Sequence, residues 1–81
     1  MKAVAIVAPT KERALAWIAD RQGDPDEAEI ITYLDDVSWL RQWDGPLVVT
    51  EPWSDLPEKV AREVGAWDFK HPGKALTPRR S

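Results

Sequence analysis

Cysteine is absent from these 81 residues. That excludes a disulfide staple, a thiolate metal site and a cysteine nucleophile, and it suits a reducing cytoplasm. Histidine occurs once, at His71 just before Pro72-Gly73, outside the segments that pattern as a core. A Ser-His-Asp arrangement is thereby disfavoured, and His71 reads as a bystander. No apolar run approaches the roughly 18 residues of a membrane span. The opening run Ala3–Ala8 is shorter than a signal-peptide core and leads into Lys11, Glu12 and Arg13. Eighty-one residues make one small domain, with a core near the lower limit for folding alone. Tyrosine and phenylalanine occur once each, against five tryptophans; the aromatic content therefore rests on indoles.

Charge is unevenly placed. Residues 1–68 carry seven Lys/Arg against all fourteen Asp/Glu, a balance of −7. Residues 69–81 carry Lys70, Lys74, Arg79 and Arg80 with no acid, a balance of +4. An acidic body repels phosphate and argues against sequence-independent nucleic-acid binding. The basic end reads as a solubilising, disordered tail.

The apolar pattern sets out a parallel α/β domain. A first strand spans about residues 2–8, apolar on both alternate faces, as a strand covered on two sides must be. Helix one follows over about 10–22, with Thr10 as N-cap, Ala14, Leu15, Ile18 and Ala19 on one stripe, and Gly23 at its stop. Residues 29–34, rich in β-branched and aromatic side chains, make a second strand. Asp35 or Asp36 then caps a short helix to about residue 43, with Val37, Leu40 and Trp43 on one face, before Gly45-Pro46 breaks it. Residues 47–50 form a third strand. Ser54 or Asp55 caps a third helix to about residue 64, Asp55 with Glu58 matching a capping box. Leu56, Val60, Ala61 and Val64 make its buried stripe, and Gly65 ends it. Residues 66–69 are available for a short fourth strand.

The reading is therefore an α/β, Rossmann-like domain over residues 1–69 and a basic tail over 70–81. Its element order is β-α-β-α-β-α. Right-handed crossovers give a parallel sheet of three strands, or four if residues 66–69 join it. Strand order 2-1-3 is preferred over 3-2-1, because strand one is the most apolar and suits the centre.

Ligands of such sheets bind beyond the carboxyl ends of the strands, near the point where strand order reverses. That edge gathers Thr10 and Lys11 after strand one, Asp35 and Asp36 after strand two, and Glu51 after strand three. The start of helix one could seat an anion, with Thr10 binding a phosphate and Lys11 pairing with it. The simpler roles are a helix cap for Thr10 and a solvated charge for Lys11. The turn holds no glycine, so side chains obstruct close backbone approach to a pyrophosphate. Asp35, Asp36 and Glu51 together could attract a hard cation. Two capping carboxylates beside a strand end need no metal, however, and no metal or cofactor is expected.

Ile6-Val7-Ala8-Pro9-Thr10 resembles the opening of motif I in superfamily helicases and related P-loop ATPases. The continuation Lys11-Glu12-Arg13-Ala14 lacks the glycines, the phosphate lysine and the magnesium-binding hydroxyl of that motif. Leu47-Val48-Val49-Thr50-Glu51 is similar to a Walker B strand, an apolar run ending in an acid. The composition and the short β-α plan also resemble small uncharacterised proteins of actinobacteriophages. These resemblances imply a reduced, inactive relative of a Rossmann or P-loop fold that binds something, and they carry over no catalytic residue.

The tryptophans supply the functional expectation. So small a core can bury two or three such rings, and Trp43 and Trp67 have the apolar spacing partners of core residues. Trp17 falls beside the stripe of helix one, Trp39 falls off the face of helix two, and Trp53 stands in a loop. Exposed tryptophan is the residue most enriched at binding hot spots. The expectation is a non-enzymatic protein-interaction module that uses Trp17, Trp39 or Trp53. Its partner would be a second copy or, if the chain is phage-encoded, a host protein. The alternative is a small-molecule or nucleotide binder at the carboxyl edge through Thr10 and Lys11. A third option is a nucleic-acid accessory factor acting through the basic tail with stacking tryptophans.

Overall fold

Four apolar side chains in succession, Ala5, Ile6, Val7 and Ala8, have no exposed surface at all. Such a run can only be the middle of a sheet covered on both faces. The computed structural model, which describes residues 2–77, puts it there. Strand β1 (Val4–Ala8) lies between β2 (Ala28–Thr32) and β3 (Leu47–Val49), and β4 (Ala75–Leu76) lies outside β3. The sheet order is β2-β1-β3-β4, with every pairing parallel. Val4 stands opposite Ala28, Ala5 opposite Leu47, and Val48 opposite Leu76. This is an α/β, Rossmann-like layout, and it contains the 2-1-3 order read from the apolarity of strand one.

Helix α1 (Lys11–Asp20) packs over β1 and β2 on one face. Its Ala14 and Ile18 meet Ile6, Ala8, Ala28 and Val48 there. The opposite face carries a 3₁₀ segment, Val37–Gln42, and helix α2 (Glu58–Lys70). Val37, Leu40, Leu56, Val60, Val64 and Trp67 pack on Ala5, Val7, Ile31, Leu47 and Val49. Burying each large apolar side chain contributes about 1.5–3 kcal/mol, so this second face holds most of the core.

The boundaries differ from the sequence reading for physical reasons. Strand two ends at Thr32 rather than residue 34. The Asp35 carboxylate accepts from the Thr32 backbone N–H (2.9 Å) and hydroxyl (3.1 Å), folding the chain back and leaving Leu34 97% exposed. Helix two is 3₁₀ rather than α. Six residues of 3₁₀ rise about 12 Å against about 9 Å for α-helix, which helps so short a segment cross from β2 over β1 to β3. Asp36, not Asp35, caps it, accepting from the Ser38 N–H.

Helix α1 stops in a Schellman arrangement. Gln22, not Gly23, takes the left-handed conformation (φ 55°), and the Gly23 N–H reaches back to the Ile18 carbonyl at 2.9 Å. Asp55 belongs to a separate 3₁₀ turn, Trp53–Asp55, and Pro57 occupies the cap position of α2, which begins at Glu58. Gly65 does not end α2. Glycine in a helix costs about 1 kcal/mol, and burial of Trp67 two residues later, with 3% of its surface exposed, outweighs it.

Residues 66–69 are therefore helix, and the fourth strand is Ala75–Leu76, inside the segment set apart as a tail. The turn leading to it uses Gly73 at φ +81°, a conformation glycine adopts without strain. Residues 78–81, which hold Arg79 and Arg80 of that tail, lie outside the described residues.

Candidate functional site

The carboxyl edge of the sheet is where the sequence places a ligand. Order reverses between β1 and β3, so the crevice lies between the turn Pro9-Thr10 and the segment Thr50-Glu51-Pro52. Thr10 is the N-cap of α1, and its hydroxyl accepts from the Arg13 N–H at 3.1 Å. Lys11 is exposed beside it. The side chain that enters the crevice is Arg13. Its guanidinium meets the Glu51 carboxylate at 3.3 Å and reaches the Thr50 carbonyl at 3.4 Å. Thr50 itself is 2% exposed, and its N–H continues the ladder to the Val7 carbonyl at 3.0 Å. An intramolecular ion pair thus spans the mouth where a phosphate would sit.

The three carboxylates of this edge are engaged with different partners. Asp35 holds Thr32, Asp36 holds Ser38, and Glu51 holds Arg13. The hydrogen bonds from Ser38 keep the Asp36 carboxyl below its ordinary range. Among the described residues, no three His, Cys, Asp or Glu side chains are grouped to hold a metal ion. Close by, burial pushes the Tyr33 phenol above its ordinary value, with the charges of Glu51 and Asp55 adding to the effect. The Tyr33 hydroxyl is buried without a hydrogen-bond partner.

The three tryptophans expected at an interface lie on three separate surfaces. Trp39 is half-buried, stacked on Trp43 with ring centroids 5.5 Å apart, and borders a groove beside the open edge of β2. Trp53 is 43% exposed and lies over Gly65 of α2. Trp17 is half-buried under the Arg21 guanidinium, 3.9 Å from its ring centroid, a cation–π contact.

Trp17 borders a groove at the outer edge of the α1 face. Helix α1 packs over β1 and β2, and Val48 of β3 is covered with them at 6% exposed, so the cover on this face runs out at β4. Leu76, opposite Val48 in the register, is 57% exposed there. Trp17, Arg21, Val48 and Leu76 line a small groove of about 120 Å³. A second hollow of about 400 Å³ extends it along α1 past Trp17 to Arg13 and Thr50.

Sequence reasoning missed Arg13, Thr50 and Leu76. Arg13 carries a signal, since a cation in the first turn of a helix works against its dipole and calls for an acid nearby. Leu76 carries none, because two residues are too few for a period.

No family model, curated protein or solved structure matches the chain. Among the described residues, no helix is long and apolar enough to cross a membrane.

Proposed function

We propose that this chain is a non-catalytic protein-interaction module that docks a partner at the β4 edge of its sheet, on the Trp17 side. The observation that carries this reading is the uncovered β4 edge of that face. Parallel sheets are stable with both faces buried, yet here Leu76 is 57% exposed beside a half-buried tryptophan. Trp17 under Arg21 supplies the rigid aromatic–arginine pairing favoured at interface centres. The balance of −7 over residues 1–68 sets two copies against each other, so a different protein is favoured over a second copy. The lack of cysteine suits a cytoplasmic setting. On the resemblance to small actinobacteriophage proteins, the partner would be a host factor.

The ligand-binding alternative is less favoured. Thr10 is committed to its cap, and Arg13 with Glu51 fills the crevice. The nucleic-acid option rests on residues 70–81, of which Ala75–Leu76 are a strand and 78–81 lie outside the described residues.

The test compares partner capture by the wild-type chain and by Leu76→Asp, after circular dichroism confirms that both fold. A protein bound by the wild type and lost from the variant supports the reading. Equal capture by both, or none by the wild type, overturns it. Sedimentation at rising concentration separates a second copy from a different partner.

A further inference from the structure

A second surface, on the opposite side of the sheet, has a different character. Between the 3₁₀ segment Val37–Gln42 and the last turns of α2 lies a cleft of about 200 Å³. Leu40, Ala66 and Trp67 contribute its apolar lining. Its charged groups are Arg41, Arg62 and Lys70 against one carboxylate, Glu63, a balance of +2 before His71 is counted. In a chain of net charge −3 this is a local reversal of sign.

The pairing within the cleft leaves Lys70 without a carboxylate and Arg62 in an exposed pair at its rim. Arg41 grips Glu63 through two nitrogens, at 2.7 and 3.3 Å, which accounts for one cation and the carboxylate. Arg62 touches only Glu58, one turn back on the exposed side of α2, at 3.0 Å with both side chains at least three-quarters exposed. Lys70 has no carboxylate partner among the described residues. The helix dipole accounts for a cation in the last turn of α2, but not for Arg62 two turns earlier or for Arg41 on another element.

His71 completes the cleft. Its ring stacks on Trp67 with centroids 4.3 Å apart, and Nδ1 lies 3.0 Å from the Trp67 carbonyl. With Nδ1–H donating to that carbonyl, Nε2 is the nitrogen left for a ligand.

We propose that this cleft binds a small anion with an apolar body, an aryl phosphate or aryl carboxylate. Lys70, Arg62 and His71 would hold the anionic head, and the ring would lie on Ala66 and the small exposed parts of Leu40 and Trp67 (1% and 3% exposed). At about 200 Å³ the cleft favours a single ring over a nucleotide. The site is separate from the Trp17 surface and stands or falls independently of the proposed function.

His71 is the only histidine in the chain, so its Cε1–H resonance reports this cleft without assignment ambiguity. Phenyl phosphate is titrated into the full chain at fixed pH and ionic strength, with inorganic phosphate in a parallel series. Binding is expected as a saturable movement of that resonance, weaker for inorganic phosphate. Lys70→Gln and Arg62→Gln, both at exposed positions, should each weaken it about fivefold, the scale of one exposed ion pair. Lys59→Gln, elsewhere on α2, should leave it unchanged. A movement that stays linear in concentration, or that persists equally in Lys70→Gln and Arg62→Gln, overturns the site. Equal affinity for inorganic phosphate overturns the apolar-bodied ligand.

Discussion

The indole N–H of Trp67 donates to the backbone carbonyl of Trp43 at 2.7 Å. This bond ties the last turns of α2 to the loop that delivers β3, while the Trp43 indole donates onward to the Pro46 carbonyl at 2.9 Å. Trp67→Phe keeps an aromatic ring in the core but removes the donor, leaving a part-buried carbonyl unpaired and a small void. A loss of about 2–3 kcal/mol is expected from those two effects. Urea unfolding monitored by circular dichroism measures it.

Two glycines should respond to alanine with opposite signs. At Gly45 an added Cβ would lie 2.7 Å from Cζ2 of the Trp43 indole, so the ring must move off its stack with Trp39 and off the Pro46 carbonyl. At Gly65 the same atom would lie 3.6 Å from the Trp53 ring, an ordinary contact. Gly65→Ala should therefore stabilise α2 by about 0.5–1 kcal/mol. Gly45→Ala should destabilise by about 1–3 kcal/mol, as overpacking does. Thermal unfolding of the two variants side by side decides both.

Tyr33→Phe should be neutral or stabilising by up to about 1 kcal/mol at neutral pH, because the hydroxyl it removes is buried and unpartnered. The alkaline behaviour has a definite sign. Burial raises the phenol above its unfolded value of 10.0. Its contribution is complete below pH 10.0 and is lost as pH climbs from there through the folded value. Wild type should thus lose stability in that window faster than Tyr33→Phe. As the only tyrosine, its phenolate absorbance can be followed directly.

Thr10→Ala should cost about 1 kcal/mol, the usual worth of an N-cap. Thr10→Ser, which keeps the hydroxyl, should restore most of it. Chemical denaturation separates this structural role from a ligand-binding one. If Thr10→Ala instead abolishes binding of some anion while leaving stability unchanged, the cap assignment is wrong.

The sequence made the centre of this fold plain and its margins obscure. Ala5–Ala8 could only be a doubly covered strand, and the central position of β1 followed from that alone. The stripe Val60, Val64, Trp67 runs on at helical spacing past Gly65, so the longer α2 was visible in the period. Gly65 does not stop α2, because burial of the Trp67 indole beyond it favours continuing the helix. Leu76 could not be placed, because β4 is two residues long and exists only by pairing with β3. Thr10, a cap residue by its type and place before the helix, caps α1. Glu51 was located at the right edge, but its partner Arg13 lies 38 positions away, a relation that no local pattern encodes.

The uniformly parallel sheet has a kinetic consequence. No pair of these strands is joined by a hairpin, so no ladder can be nucleated by a tight turn. Val4 must find Ala28, Ala5 must find Leu47, and Leu47 must find Ala75 before the sheet exists. Each search closes a long loop ahead of any reward in hydrogen bonds. For its length, the chain should refold slowly, with β1, α1 and β2 assembling first and the two-residue β4 docking last.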